Sequence, residues 1–329
     1  MDSSVFLNFH GVTARVASVY AHVLEDLKND FAYFLTGPGE SDLSLTVQSL
    51  EVAPKGWIPL PRLGRSRFFL SPPGETRVAY FEKSRVAYRF HRGRCEVYSD
   101  AATAYEVAYL MLLAYVGEAL DRKGIHRIHG LGMTWRGDGM IVLAPSGGGK
   151  STLALELLRS PEMAILSDDV PWVNPRGEIL AFPQRIALKT RPTIAPEFVR
   201  TFRRVRYGEK FVVGSRYFEQ RIVEKSPLRW LVVIDSKRGS ALLEKRSRIF
   251  LIWPLLRWLV LGLETPQVWE VFVRLTPSDL WAKAKILFSR ARLAWRLGRQ
   301  SQAASFRLSP HVTESGETLK RFTWQTATP

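Results

Sequence analysis

The sequence predicts an α/β fold: a core built around one glycine-rich loop, a β-rich lobe before it and helices after it. Three observations lead there. Residues 141–158, IVLAPSGGGKSTLALELL, run from four apolar residues through a glycine turn into apolar residues at helical spacing. Residues 44–52, 67–70, 77–81 and 84–90 are short β-like runs separated by Pro72-Pro73-Gly74 and Lys83-Ser84. Residues 101–123, 246–262 and 277–298 read as helices.

Taken in order, residues 1–98 form the β-rich lobe, and Glu96-Val97-Tyr98 closes its strands. His10, His22 and His91 have no metal-ligand spacing. Asp100 caps the helix Ala101–Lys123, and Gly124 ends it. Ile125–Trp135 is a strand entering the core, and Arg136-Gly137-Asp138-Gly139 is a hairpin turn. Pro161 ends the helix after the loop. Ala164–Leu166 opens a strand that finishes in Ser167-Asp168-Asp169-Val170. Ile179–Lys189 returns as extended chain, with Pro183 marking an edge or bulge. Trp230–Asp235 is a buried strand. The core with its C-terminal helices spans 99–300, and 301–329 is a polar tail.

Composition narrows the function class. Apolar content of 46% and aromatic content of 12% suffice for a sizeable core, so disorder is not the default. Cys95 is the sole cysteine, so no intramolecular disulfide forms, which fits a reducing, cytoplasmic setting. The most apolar stretch, Ile249–Leu263, is interrupted by Pro254 and Arg257 and is too short to span a bilayer; a core helix is expected there. The formal charge is +16. Acids collect early, whereas Gln184–Trp230 is crowded with arginines, including Arg203, Arg204 and Arg206. Lys283, Lys285, Arg290, Arg292, Arg296 and Arg299 stand with no acid among them. Such a surface attracts anions: nucleotide, an acidic protein or peptide, nucleic acid or an anionic membrane. Of these, an acidic acceptor is favoured over nucleic acid.

Strand, glycine loop and helix are the context that a phosphate-binding loop requires. Gly147, Gly148 and Gly149 let backbone N–H groups turn onto a phosphate, and the new helix adds its positive end. Ser146, Ser151 and Thr152 complete the nucleotide-binding set with the glycines and Lys150. Lys150 can reach the β/γ-phosphates, and Ser151 Oγ can ligate Mg²⁺. Ala144 takes the place of the usual first glycine. Asp168 and Asp169 sit at a strand's C-terminal end, where open α/β sheets place their sites; one can meet a metal while the other meets a hydroxyl.

With His129-Gly130 before a strand, Ser146–Ser151 in the loop and Asp168-Asp169-Val170 after the next strand, the stretch from about Tyr105 to Leu188 resembles the HPr kinase/phosphorylase family. That family shares a phosphate-loop fold with phosphoenolpyruvate carboxykinase. The resemblance implies a kinase using ATP and Mg²⁺, with Lys150 on phosphates and Ser151 and Asp168 at the metal. Asp169 would accept the proton of the substrate hydroxyl, and His129 would line the site. The family's later metal-binding glutamate has no match beyond Glu197, and its late arginine has none secure among Arg221, Arg229 and Arg238. The chain looks closer to the HPr-kinase-like proteins of lasso and other ribosomal peptide maturation systems, which implies a peptide serine as acceptor.

The resulting expectation is transfer of the ATP γ-phosphate to a hydroxyl of a peptide or protein. A small-molecule kinase and a nucleotide-dependent binding module for an acidic partner are the alternatives. The acceptor's identity and the oligomeric state, homo-oligomer included, stay open at this level.

Overall fold

A computed structural model describes residues 4–52, 58–59, 68–70, 77–81, 85–91, 93–204, 208–235, 239–263 and 277–326. The Pro72-Pro73-Gly74 and Lys83-Ser84 turns, Arg67, Arg206 and Arg238 lie outside these residues. The protein is mixed α/β. It divides into two compact units, the first built chiefly on Met1–Leu120, the second on Asp121–Arg200, Phe211–Thr265 and Leu280–Pro329.

The first unit is the β-rich part that the early alternation predicts. Its eight strands are β1 (Ser4–Phe9), β2 (Val12–Ser18), β3 (Leu43–Ser49), β4 (Ile58–Pro59), β5 (Phe68–Leu70), β6 (Arg77–Phe81), β7 (Val86–His91) and β8 (Arg94–Ser99). They form one sheet in the order β1-β2-β3-β8-β7-β6-β5-β4. Alternation decides which face is inside: Val5, Leu7, Phe9, Val16, Leu45, Val47, Cys95 and Val97 are buried. Two helices belong to this unit, α1 (Ala21–Asp30) and nearly all of α2 (Ala101–Arg122). Tyr109 of α2 stacks on Phe31 at 5.4 Å, Tyr115 stacks on Phe90 at 6.3 Å, and Tyr105 Oη donates to buried Asp30. These contacts group α2 with the sheet, so contacts divide the chain at Leu120/Asp121 rather than at 98/99.

The second unit contains β9 (His126–Arg127), β10 (Leu131–Trp135), β11 (Asp138–Leu143), α3 (Lys150–Leu157), β12 (Met163–Ser167), β13 (Trp172–Val173), β14 (Glu178–Leu180) and β15 (Ile186–Leu188). Then follow β16 (Val199–Arg204), β17 (Gly208–Val213), β18 (Lys225–Ile234), β19 (Leu242–Arg246), the short turn α4 (Ile252–Leu255), α5 (Pro277–Gln300), β20 (Gln302–Arg307) and α6 (Val312–Thr326), of which residues 201–204 of β16, 208–210 of β17 and 277–279 of α5 group with the first unit. The main sheet runs β12-β10-β11-β18, with β20 against β18 and β19 outside it. β11, β18 and β20 are parallel, and β10 is antiparallel to both β11 and β12.

The central strands are apolar on both faces, as a sheet covered on both sides requires. Met140, Val142, Trp230, Val232, Ala304 and Phe306 join α3 and Leu319 of α6 in one core. Their alternates Ile141, Leu143, Leu231 and Ala303 join Leu251–Val260 and α5 in the other. The expected hairpin forms with Arg136 and Gly137 as its two loop residues, at φ 49° and 92°, closing Trp135 onto Asp138. Positive φ at both positions is the type I′ geometry that matches strand twist.

Three expectations change. The strand expected over Ile125–Trp135 is two pieces, because Ile128–Gly130 leave the ladder of β10 to bond elsewhere. Residues 301–326 are not a loose tail: β20 occupies an inner position of the sheet and α6 packs Leu319 and Phe322 into the core. Small Ala303 and Ala304 let β20 fit beneath helices, a packing that its polar neighbours concealed. Ile249–Leu263 is not one core helix but a 3₁₀ turn, α4 and a π turn in succession. Pro254 has no N–H for a regular helical bond, and Leu261 N–H donates to Leu256 O, five residues back.

One buried charge cluster ties the end of α2 to α5. Asp121 takes Arg290 Nε at 3.1 Å and Nη2 at 2.5 Å, and contacts His126 Nδ1 at 2.8 Å. His126 Nε2 meets Ser289 Oγ at 2.8 Å. Burial works to raise the Asp121 pKa, but Arg290, His126 and Arg127 outweigh it and hold the carboxyl below its usual range. Asp121→Ala leaves Arg290 buried without its carboxylate, so it should cost about 3–5 kcal/mol in a denaturant titration. A cost below about 1 kcal/mol would mean that water replaces the lost partner.

Candidate active site

The direction of the strands gathers the site. β10 runs opposite to β11 and β12, so the ends of β11 and β12 and the start of β10 lie on one edge of the sheet. The glycine loop leaves from β11, Asp168-Asp169 from β12, and His129-Gly130 enter β10 there. This is the edge at which open α/β sheets place ligands.

The loop is shaped by its glycines. Gly147 and Gly149 have φ of 79° and 95°, a region costly for residues with a Cβ. A Cβ on Gly148 would come within 2.9 Å of both Ala144 Cβ and Pro145 O. Ala144 therefore fills the first-glycine position without strain of its own, and Gly148 gives it room. α3 begins at Lys150, with Gly149 as its N-cap. Ser146, Gly147 and Thr152 are exposed, Gly148, Gly149 and Ser151 are half-buried, and Lys150 is buried.

Lys150 is 5% exposed. Its Nζ donates to Ala144 O at 2.8 Å and Pro145 O at 3.3 Å, and lies 3.0 Å from His129 Nε2. With the ammonium donating, Nε2 accepts, and the imidazole proton sits on Nδ1. Nδ1 faces Asp169 Oδ1 at 3.4 Å. Lys150 and His129 are thus in hydrogen-bond contact, and His129 approaches the second acid at 3.4 Å without a hydrogen bond.

The backbone fixes that neighbourhood. β9 pairs antiparallel with β13, and two further bonds extend the ladder: Ile128 N–H to Pro171 O and Gly130 N–H to Asp169 O, each 3.0 Å. His129 N–H donates to Trp258 O at 3.3 Å. Gly130 is required, because a Cβ there would lie 2.9 Å from Val142 O and from Ile141 Cγ2. Trp258 gave no signal in the sequence; the π turn brings its carbonyl into place.

The two acids part company. Asp169 has φ of 78°, a left-handed value that aspartate tolerates better than most residues. This turn leaves the Asp169 side chain 59% exposed while Asp168 is buried. Ser151 Oγ donates to Asp168 Oδ2 at 2.9 Å, and the Ala187 backbone of β15 also bonds this carboxyl. Burial, with the Asp169 charge second, pushes Asp168 up to about 7, against the opposing pull of Ser151 and Lys150. Lys189 reaches the loop as well: its Nζ would lie 3.6 Å from a Cβ on Gly147.

The glutamate and the late arginines weighed in the sequence lie elsewhere, as does the acid that ends β18. Arg221 donates to Ser160 O, Arg229 pairs with Asp138 at the hairpin, and Glu197 is exposed on a 3₁₀ turn. Asp235 is exposed at the end of β18, its N–H bonded to Phe306 O. Arg185 is buried, on the segment before β15.

The residues fit a nucleotide with Mg²⁺. No cluster of three His, Cys, Asp or Glu side chains that could hold a metal exists among the described residues. A Mg²⁺ site drawing on one carboxylate, one hydroxyl and substrate phosphates needs no such cluster, and Ser151 with Asp168 supplies that pair. The loop turns at Gly147 and Gly149, both at positive φ, and its backbone N–H groups and the start of α3 would hold the phosphates.

The raised Asp168 pKa makes a pH prediction for the protein free of nucleotide and metal. The folded state holds this proton up to about pH 7, whereas the unfolded chain releases it near the ordinary 3.8. Asp168 thus contributes stability below pH 3.8 that is lost as pH rises through about 7, at up to about 1.4 kcal/mol per pH unit. Asp168→Asn should flatten the fall in stability between about pH 4 and 7 in thermal melts with a chelator present. Parallel wild-type and variant profiles would contradict the raised value.

No family model and no curated protein matches this chain. Among solved structures it is similar to the HPr(Ser) kinase/phosphatase from Coxiella burnetii, at 10% identity and a TM-score of 0.29, over 61% of this chain and 97% of that one. A TM-score of that size carries no weight for the fold or for any residue's role, so the site stands on its own geometry.

Proposed function

We propose that the protein is an ATP- and Mg²⁺-dependent kinase of the HPr-kinase-like type, phosphorylating a hydroxyl of a peptide or protein. The observation that carries this reading is the division of labour between the adjacent acids beside the glycine loop. Asp168 is buried on Ser151, and Asp169 is turned outward, with His129 between it and Lys150.

Bound ATP would supply the phosphoryl group and Mg²⁺ the neutralising charge on it. Loop amides and Lys150 favour negative charge at the mouth of the loop, which a loose phosphoryl-transfer transition state needs more than covalent help. To engage phosphate, Lys150 exchanges its loop carbonyls for phosphate oxygens. Ser151 and Asp168 hold the metal side. Asp169 takes the proton of the acceptor hydroxyl, and His129 orients that carboxylate. The outward exposure of Asp169 favours an acceptor hydroxyl carried on a chain, such as a serine, over a small molecule enclosed in a pocket. Precursor peptides of lasso-type maturation are one such acceptor class, and Lys189 at the loop suits an acidic one.

Two substitutions test the assignment. Lys150→Ala should abolish nucleotide turnover in a folded protein. Asp169→Asn should leave ATP affinity within about threefold by calorimetry and lower transfer by roughly 10²–10⁴-fold. Transfer by Asp169→Asn within about tenfold of wild type would remove Asp169 as the base. Partner binding that tracks nucleotide state, with no acceptor ever phosphorylated, would replace the kinase with a binding module.

A further inference from the structure

The second unit exposes far more apolar surface on one side than its core needs. On α5, Trp281, Phe288 and Trp295 recur every seventh residue and are 66%, 67% and 64% exposed. Lys285, Arg292 and Arg299 follow each of them by four residues, and each cation lies over its aromatic ring, at 5.4, 5.3 and 4.7 Å. At about 100° per residue these positions place the rings on one arc and the cations along a single flank of it. Leu280 and Leu287, also exposed, fill the other flank. The opposite side of the helix, with Leu293 and Leu297, is in the core.

The apolar arc continues beyond α5. Gly298 lies at the Leu280–Leu287 border, and a Cβ there would stand 3.7 Å from Leu255 Cδ1. Leu255 belongs to the turn whose neighbours Ile252 and Trp253 are 62% and 64% exposed. Leu251 and Leu255 anchor this turn in the same core as α5. The surface therefore reads, from one side to the other, as turn residues, leucines, aromatic rings and a row of cations. From Leu280 to Gln300 there is no acid to neutralise that row.

Water alone does not account for such a face. Isolated exposed apolar residues are ordinary on a protein surface, but a contiguous patch of this kind marks an interaction site. A second copy is a poor occupant, since a self-complementary contact would oppose one unneutralised basic row to another. No helix among the described residues is long and apolar enough to cross a membrane. A basic helix with Trp, Phe and Leu on one arc has the chemistry of a helix that lies flat in the boundary between headgroups and acyl chains. Trp and Phe enter that boundary, and the flanking cations meet anionic headgroups.

We propose that this face, α5 with the Ile249–Leu261 turn, docks the protein on an anionic lipid bilayer. The proposal is independent of the kinase reading, because no residue of the loop or of the acid pair contributes to it. The same core that anchors the face holds Trp258, whose carbonyl receives His129 N–H, so docking would occur beside the proposed site.

Vesicle co-sedimentation of the full chain tests it, with phosphatidylcholine vesicles doped with phosphatidylglycerol and phosphatidylcholine vesicles alone as the two surfaces. The expected result is partitioning onto the doped vesicles that falls at high salt, since screening acts within ~8 Å at physiological ionic strength. Trp281→Ser, Phe288→Ser and Trp295→Ser combined, and separately Lys285→Glu, Arg292→Glu and Arg299→Glu combined, should each reduce partitioning by at least about tenfold. Both sets alter exposed side chains, so unchanged melting temperatures show that the fold is intact. Failure of the wild-type chain to bind doped vesicles, or equal binding by both variants, overturns the proposal. Light scattering that shows a dimer dissolved by the serine variant, without vesicle binding, would assign the face to a second copy instead. Binding of a duplex oligonucleotide without vesicle binding would assign it to nucleic acid.

Discussion

The antiparallel passage of β10 between β11 and β12 is the constraint on which the site depends. Because β10 reverses, its neighbours run the same way and end on one edge, and β10 itself begins there. Loop, acids and histidine come from three separate segments, yet none has to travel to meet the others. The two apolar layers on either face hold this arrangement: α3 and α6 cover one side, α5 and the Leu251–Val260 turns the other. A sheet buried on both faces cannot shift its register by one residue without moving every side chain to the wrong layer.

Within that frame, desolvation governs the chemistry. Lys150 and Asp168 are both nearly inaccessible to water, and each is held by partners rather than left alone. Burial of a lone carboxylate would cost several kcal/mol, and a proton is the cheaper response, which is why Asp168 titrates near 7. Asp169, one residue on, stays out of that buried site because its backbone turns left-handed and delivers the side chain to solvent. Two identical neighbours in the sequence become chemically different groups through one backbone torsion.

The remaining charge is distributed by similar logic. Asp121 and Arg290 are buried and paired, so they behave as a structural tie. The exposed cations of α5 lie over aromatic rings and leave their charge facing outward. Exposed pairs such as Arg229 with Asp138 are worth at most about 1 kcal/mol and decide little about the fold.

What the sequence determined by itself was local. Gly147, Gly148 and Gly149 with Lys150 and Ser151 announced a loop that only small residues permit, and Arg136-Gly137 announced a two-residue hairpin. Asp168-Asp169 stood out because polar residues at the end of an apolar strand have few structural excuses. The tertiary structure decided everything that depends on long-range pairing. β20 was hidden because Gln302–Arg307 is polar at alternate positions, and only its seat between β18 and β19 makes a strand of it. Trp258 and Ala187 act through backbone groups, and a backbone group has no signature in a side-chain alphabet. The exposed arc of α5 shared the period of a core helix. Its two sides differ only in what packs on them: Leu293 and Leu297 met a sheet, and Trp281, Phe288 and Trp295 did not.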